Sequence, residues 1–506
     1  MEQTVRWWQR RWVLPTLALL STLPLWFTTT PPLIDFIGHM GRYSVQLGID
    51  QSEFLQRNWA YNWALIGNLG VDLLIVPLAY LFGLERAGWI VAALLPPLMI
   101  WGIFRSARAV HGRVPATALA ALPFAVAYPY QYGFVNYWLA SGLAFHAFAS
   151  WVQLQGKPRL RAAIFVPVGI VVWISHVYGW GVLGLLVGGY ELSRARREEG
   201  RKITIPLRAG LRCWPLLAPS LLMAGWREAG EGAITMGWFW FDWKLLASTF
   251  TLRDQWAPLD WFSLGAAVVL IYAGLRDKRF AFDGRFGVAA LLLLAALILL
   301  PFQLFGSAFA DVRVAPFFFI AALLALRPAG EAEEGAGLFG KLAAAAFLLF
   351  VVRIGVSAVG YAQYDVDYKR HLAAVDHVER GARVAIFNHY PCDVPWRRPR
   401  LDHLGSMMLV RREAFVNSQW DVPGAQLLQP LGAAGTPFNA APSHLVRSPN
   451  CAEDLTALLG TRIRQFPRDR FDYVWVIGYD PATLPAYPGL ARVYSDDETI
   501  LYRIVR

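Results

Sequence analysis

Apolar runs of roughly 15–22 residues recur through the first 360 positions, separated by short polar or basic stretches. A bilayer core takes about 20 apolar residues per helix. The pattern predicts membrane-crossing helices near residues 12–29, 88–104, 115–130, 135–153, 162–175, 179–193, 206–224, 261–275, 286–303, 314–327 and 340–360. That is about eleven crossings. One further run, 63–82, carries Gly67, Asn68, Gly70 and Asp72 in its first half. An Asp at a lipid-exposed bilayer centre costs about 2.5–3.5 kcal/mol. This run is therefore expected to dip into the outer face without crossing; a crossing run, with one basic loop on the other side, stays open. The expected fold class is an α-helical polytopic membrane protein.

The pattern changes near Tyr361, which divides the chain into a transmembrane domain, 1–360, and a tail domain, 361–506. In the tail, RVAIFNH (383–389) and YVWVIGY (473–479) read as short buried strands. AEDLTALLGTRI (452–463) reads as a helix, and ARVYSDDETILYRI (491–504) as a hairpin turning at Asp496 and Asp497. Strand, helix and strand predict a small α/β domain.

Composition agrees with a membrane chain: 56% of the 506 residues are hydrophobic and only 16% charged, against about 25% in soluble domains. The 22 Trp and 19 Tyr suit interfacial belts. The net charge of +11 sits largely in short loops: Arg105/Arg108/Arg113, Lys157/Arg159/Arg161, Arg194/Arg196/Arg197/Arg201/Lys202 and Arg276/Lys278/Arg279/Arg285. The positive-inside rule places these loops in the cytoplasm, with the N-terminus and its Arg6, Arg10 and Arg11. The charge then needs no nucleic-acid partner. The residues after the first span, TTTPP, offer no small-residue cleavage site, so that span reads as retained. With this topology the C-terminus lies outside, together with the polar segments 30–62, 225–260 and 301–313. The acidic segment 330–337 reads as a cytoplasmic connector. Cys213 falls in a span. Cys392 and Cys451 both lie in the outer tail, where a disulfide and two separate buried thiols are both open. The chain shows no internal repeat, Gly-rich phosphate loop, paired CxxC or G-x-S-x-G elbow.

Candidate chemistry collects on the outer face. In PPLIDFIGHMGRY (31–43), Asp35 and His39 are four apart and share a helix face. Asp35 could act as a general base; with a third ligand the pair could hold a divalent ion, although two ligands do not make a site. A helix cap and a solvated His are the plainer roles. Asp311 and Arg313, two apart in GSAFADVRVAP, face the same way if extended. They either close a loop as a pair or offer Arg313 to a phosphate. His176, in WISHVYGW, is a structural His or a phosphate or hydroxyl contact. Asp72, an ionisable residue in an apolar run, is a functional candidate, in a supporting role with Asp311 and Asn68; a buried pairing with an Arg such as Arg42 or Arg57 is the other explanation. GWFWFDWK (237–244) packs aromatics around Asp242, as a membrane anchor or a sugar platform. Asn136 starts a span and could cap it.

The order of these features resembles the GT-C superfamily of polytopic membrane glycosyltransferases, in an uncharacterised bacterial branch. An N-in multispan chain has an acid in its first outer loop, a membrane-dipping helix next and an outer C-terminal domain. In sequence the likeness rests on PPLIDFIGH, and more loosely on NLGVDLL, ISHVYGW and GSAFADVR. The resemblance implies a chain in the bacterial inner membrane, working on a sugar donor linked to polyprenyl phosphate. Asp35, with His39 beside it, would deprotonate an acceptor hydroxyl that attacks the anomeric carbon with inversion. Arg313, His176 and Arg42 would bind the donor phosphate. The acceptor, whether glycan, lipid or protein, is left unspecified. Where the family often carries two adjacent acids or Asp-x-Asp, this chain has Asp35 and then His39, so a divalent metal cofactor stays open. Two other classes compete: a transporter or flippase for a lipid-linked substrate, and a non-catalytic scaffold. The lack of paired repeat halves weighs against the first. The polar residues gathered on one face weigh against the second.

Overall fold

The computed structural model describes the chain except residues 1–5, 200–202, 227–234, 305, 331–336, 393–394, 399, 423, 433–434, 436 and 452–457. Among the described residues, four helices are long and apolar enough to cross a bilayer: Leu84–His111, Pro158–Ser175, Ala257–Arg276 and Gly337–His377. Val13–Phe27, Gly70–Phe82, Trp214–Met223, Gly284–Leu299 and Val312–Ala325 are shorter and apolar. Val135–Gln153 and Val177–Glu199 fall on two further expected spans.

Prolines explain where single helices were expected and others formed. Pro206, Pro215 and Pro219 remove amide donors, and the run 206–224 breaks into Ile205–Arg212, Trp214–Leu217 and a helix starting at Ala218. The run 115–130 begins behind Pro115 and contains Pro123; it forms a 3-10 helix, Ala116–Val126, and then a short helix, Tyr128–Tyr132. The run 63–82 is helical only over Gly70–Phe82, whose 13 residues reach about 20 Å.

The chain divides into two units. The first takes Met1–Trp26, Leu65–Leu73 and Val91–Ala358; the second takes Phe27–Ala64, Leu74–Ile90 and Val359–Arg506. Segments 27–64 and 74–90 group with the tail residues 359–506. Pairing is the reason. Trp59–Tyr61 forms an antiparallel ribbon with Leu428–Pro430, and the Trp59 ring stacks on Phe415 at 5.2 Å.

The first unit is helical and packs closely. In Val177–Glu199, Gly179 lies against Ala140 and Gly189 against Ala289, each so close that a Cβ would collide. Small residues at such crossings are how helices associate without a hydrophobic drive from water. Facing outward, Ala257–Arg276 exposes Trp261, Phe262, Val269 and Tyr272, an apolar surface suited to lipid.

The second unit is built on a six-stranded sheet: β1 Arg383–Tyr390, β2 Phe415–Val416, β3 Leu445–Arg447, β4 Tyr473–Ile477, β5 Leu490–Ser495 and β6 Thr499–Ile504. The order is β5-β6-β4-β1-β2, and β3 also pairs with β1. β1 to β4 are parallel, while β5 and β6 form the antiparallel hairpin expected over 491–504. Val384, Ile386, Val474 and Val476 are fully buried, as a parallel sheet covered on both faces requires. The expected helix 452–463 appears as Leu459–Gln465; residues 452–457 lie outside the described ones. Cys392 is disulfide-bonded and Cys213 is a free thiol, while the Cys451 side chain is not among those described.

Candidate functional site

Asp35 occupies the first position before the helix Phe36–Gly48, but its carboxylate makes no capping bond to that helix. The plain capping role therefore does not account for it. Asp35, His39 and Arg42 follow at i, i+4 and i+7, one face of the helix. Gly38 and Gly41 let the tail approach the same helix: a Cβ at Gly38 would run into Trp420, and one at Gly41 into Gln419. The Gln419 amide donates to the Gly38 carbonyl at 3.1 Å and to Ser406 Oγ at 2.8 Å.

Trp420 holds two imidazoles. His403 lies 4.1 Å from its ring and His39 lies 5.1 Å away. His39 is thus packed, not simply solvated. His403 Nε2 stands 3.8 Å from Asp35 Oδ1, and the Asp35 side chain keeps 18% of its surface exposed. Burial holds His403 neutral, its value lowered to about 4 despite the carboxylate beside it. Arg400 has a left-handed backbone, φ 59°, and donates to the Pro32 carbonyl at 2.7 Å, just before Asp35 in the chain. A non-glycine residue there carries strain, which clusters at functional sites. Arg42 is buried, its guanidinium 5.2 Å from the Tyr43 ring centre.

The sheet favours the same place. β2 and β3 lie on one side of β1 and β4 on the other, so β1 is a switch point, and open parallel sheets bind ligands outside the carboxyl ends of their strands there. The chain leaving β2 supplies Ser418, Gln419 and Trp420. Sequence reading missed His403, Trp420 and Arg400, because nothing local marks them. The one available signal was the Gly38/Gly41 spacing, which announces a close neighbour on the Asp35 helix.

Within the first unit, Arg313 and His176 meet in an aromatic box. Arg313 Nη1 lies 3.4 Å from His176 Nε2, and its guanidinium sits 3.8 Å over Phe134, with Tyr137 and Tyr178 further out. The Tyr178 amide donates to His176 Nδ1 at 3.1 Å, which leaves the proton of the neutral ring on Nε2. The guanidinium and the imidazole N–H are thus neighbouring donors in this box.

Asp311 does not share a direction with Arg313. It begins a 3-10 turn, Val312–Val314, and threefold rotation turns residues two apart away from each other. Its carboxylate instead takes the Lys244 ammonium at 3.1 Å. Asp72 is buried and accepts from Asn136 Nδ2 at 2.9 Å. The same amide donates to the Asn68 carbonyl and side chain at 2.9 and 3.0 Å. Asn136 is thus a tie between segments and not a cap. Asn136→Ala is expected to cost about 1–3 kcal/mol, the price of stranding buried acceptors; thermal unfolding in detergent measures it, and an unchanged transition would refute the tie. Trp238, Phe239, Trp240 and Phe241 are all exposed beside Asp242, as an anchor requires. Among the described residues, no three His, Cys, Asp or Glu side chains converge on a metal site.

No protein-family model and no curated protein matches this chain. Solved structures do. ArnT from Cupriavidus metallidurans in the apo state aligns with a TM-score of 0.50 and 13% identity, over 97% of each chain. The structure of ArnT from the same organism bound to undecaprenyl phosphate aligns with a TM-score of 0.46 and 13% identity, over 96% of this chain and 97% of that one. The chain therefore shares the overall fold of the apo ArnT structure along nearly its whole length.

Proposed function

We propose that this chain is a membrane glycosyltransferase that moves a sugar from a polyprenyl-phosphate donor to an acceptor at the extracytoplasmic membrane face, with inversion. The observation that carries the reading is Asp35. Its carboxylate is not spent on a helix cap, stays partly open to solvent and faces a neutral imidazole. The fold supports the reading, and ArnT has been solved with undecaprenyl phosphate bound.

In this mechanism Asp35 takes the proton of the acceptor hydroxyl. The hydroxyl oxygen bonds to the anomeric carbon from the face opposite the leaving group. The bond from that carbon to the lipid phosphate breaks, and its electron pair leaves on the phosphate oxygen. The paired donors of Arg313 and His176 suit a phosphate, charge-assisted from the guanidinium side. His39 and Arg42 line the Asp35 helix face. Asp311, Asp72 and Asn68 act as supports through their buried bonds. The proposed topology has about eleven crossings, an inside N-terminus and an outside tail domain in a bacterial inner membrane.

The test is turnover of radiolabelled polyprenyl-phosphate sugars by the purified full chain in lipid, with and without chelator. Release of polyprenyl phosphate coupled to label transfer is the expected result, and the chelator arm decides whether a divalent ion takes part. A folded protein that turns over no donor refutes the transferase. Substrate-stimulated flux without turnover would establish the transporter instead.

A further inference from the structure

The second unit holds a cavity of about 490 Å³, lined by the end of the helix Phe36–Gly48, the turn Phe82–Arg86 and the end of the helix Ser406–Arg412. Its first lining residue, Ser44, stands nine residues after Asp35, about 14 Å along the helix. Leu47, Leu55, Phe82 and Val410 form an apolar wall, while Glu85, Arg86 and Glu413 bring charges of both signs. We propose that this cavity binds an aminophospholipid of the bilayer. Arg86 takes the phosphate, Glu85 and Glu413 take the ammonium, and the acyl chains run over the apolar wall and the turn beside it.

The position suits a lipid headgroup. The turn opens Leu84–His111, whose 28 residues reach about 42 Å, long enough to cross a bilayer core of about 30 Å. A cavity at the start of such a helix lies at headgroup depth. The helix before the turn, Gly70–Phe82, is also apolar, and Tyr80, Leu81 and Phe82 at its end are all exposed. Adjoining apolar side chains of this size call for a cover, and beside a bilayer-length helix that cover is lipid. Gly83 turns the chain at φ 78°, and a Cβ there would meet nothing within 4 Å, so the turn leaves the cavity open.

The charges select the headgroup. Glu85 accepts from Arg411 at 3.0 and 2.8 Å, and Glu413 accepts from Arg380 at 2.6 Å and from Ser52. Those two arginines are thereby neutralised. Arg86 is exposed and has no ion pair or hydrogen bond among the described residues. One positive charge is left over, the complement of one phosphodiester. The positive end of the helix that Arg86 begins favours the same group. Each carboxylate oxygen has two acceptor sites, and the bonds above use one apiece, so both acids can still take an ammonium. Without an amine in the headgroup, the same acids would repel its phosphate. Glu413 adds an independent sign. It closes the helix Ser406–Arg412 with a left-handed backbone, φ 50°, at a position where glycine is the usual residue. Strain of this kind persists at ligand clamps. Here it sets a carboxylate on the cavity wall.

Lipid binding is read without turnover, so the test does not depend on the transferase reading. The purified full chain, stripped of lipid in detergent, is titrated with phosphatidylethanolamine, phosphatidylcholine, phosphatidylglycerol or polyprenyl phosphate and followed by native mass spectrometry. One phosphatidylethanolamine is expected to bind saturably, and about tenfold more weakly to Arg86→Gln. Arg86→Lys keeps the charge and is expected to restore most of the affinity. Phosphatidylcholine, whose methylated nitrogen donates no hydrogen bond, is expected to bind more weakly than phosphatidylethanolamine. Arg86 supports no other contact, so these variants are expected to fold, and thermal unfolding of the same preparations checks it. An affinity for phosphatidylethanolamine unchanged in Arg86→Gln would overturn the proposal. So would equal or tighter binding of phosphatidylglycerol or phosphatidylcholine. Preference for polyprenyl phosphate would overturn it as well, and would give the cavity to a lipid-linked substrate.

Discussion

Asp35→Asn is expected to lower turnover of the lipid-linked donor by about 10²–10⁴-fold, the usual contribution of a general base. The substitution preserves shape and removes only the ability to take a proton. It should leave the fold intact. The carboxylate makes no bond to the first turn of its helix, and Asn is itself well suited to that position. Thermal unfolding in detergent, measured on the same preparation, checks that the variant is folded. The effect should fall on kcat more than on KM, because the proton moves only as the new bond forms. An Asp35→Asn protein that keeps a tenth or more of wild-type turnover would remove Asp35 from the chemistry. Loss of activity together with loss of the folded state would not separate the two roles, so the same preparation must show both measurements.

The hydrophobic pattern made the helical unit legible, because lipid demands long apolar runs and little else. It failed where proline intervened. The runs 115–130 and 206–224 have the composition of spans, yet their missing amides yield a 3-10 segment and a broken helix. In the tail, β1 and β4 could be read because a strand buried on both faces is a continuous apolar run. β2 and β3 could not, since two or three residues carry no periodicity. The site divides the same way. Asp35 and His39 could be found because they are helical neighbours. His403 and Trp420 reach Asp35 only through the fold, across more than 360 residues of chain, and no local pattern encodes that. Asp311 and Arg313 failed for a different reason: alternation holds for extended chain, and the backbone there is a 3-10 turn.

Glu191→Ala should be the most destabilising single change in the helical unit, at about 3–5 kcal/mol. Glu191 is fully buried in Val177–Glu199. It accepts from Trp151 Nε1 and Arg161 Nη1, each at 2.9 Å, and lies 3.6 Å from both Arg194 and Arg212. One carboxylate thus joins four helices: Val135–Gln153, Pro158–Ser175, its own and Ile205–Arg212. Arg161 is nearly as buried as its partner, so removing the acid strands a guanidinium out of water. That uncompensated charge, more than the lost attraction, is what makes breaking such a pair costly. Glu198 provides the control. It bonds Arg194 and Arg212 as well, at 2.7 and 2.6 Å, but is 40% exposed, and exposed pairs contribute about 0–1 kcal/mol. In detergent, Glu191→Ala should lower the apparent melting temperature several times further than Glu198→Ala. Glu191→Gln should fall between them, since the amide still accepts from Trp151 but no longer neutralises Arg161. Equal melting temperatures for Glu191→Ala and Glu198→Ala would show that water reaches Arg161 and that the cluster does not tie the helices together.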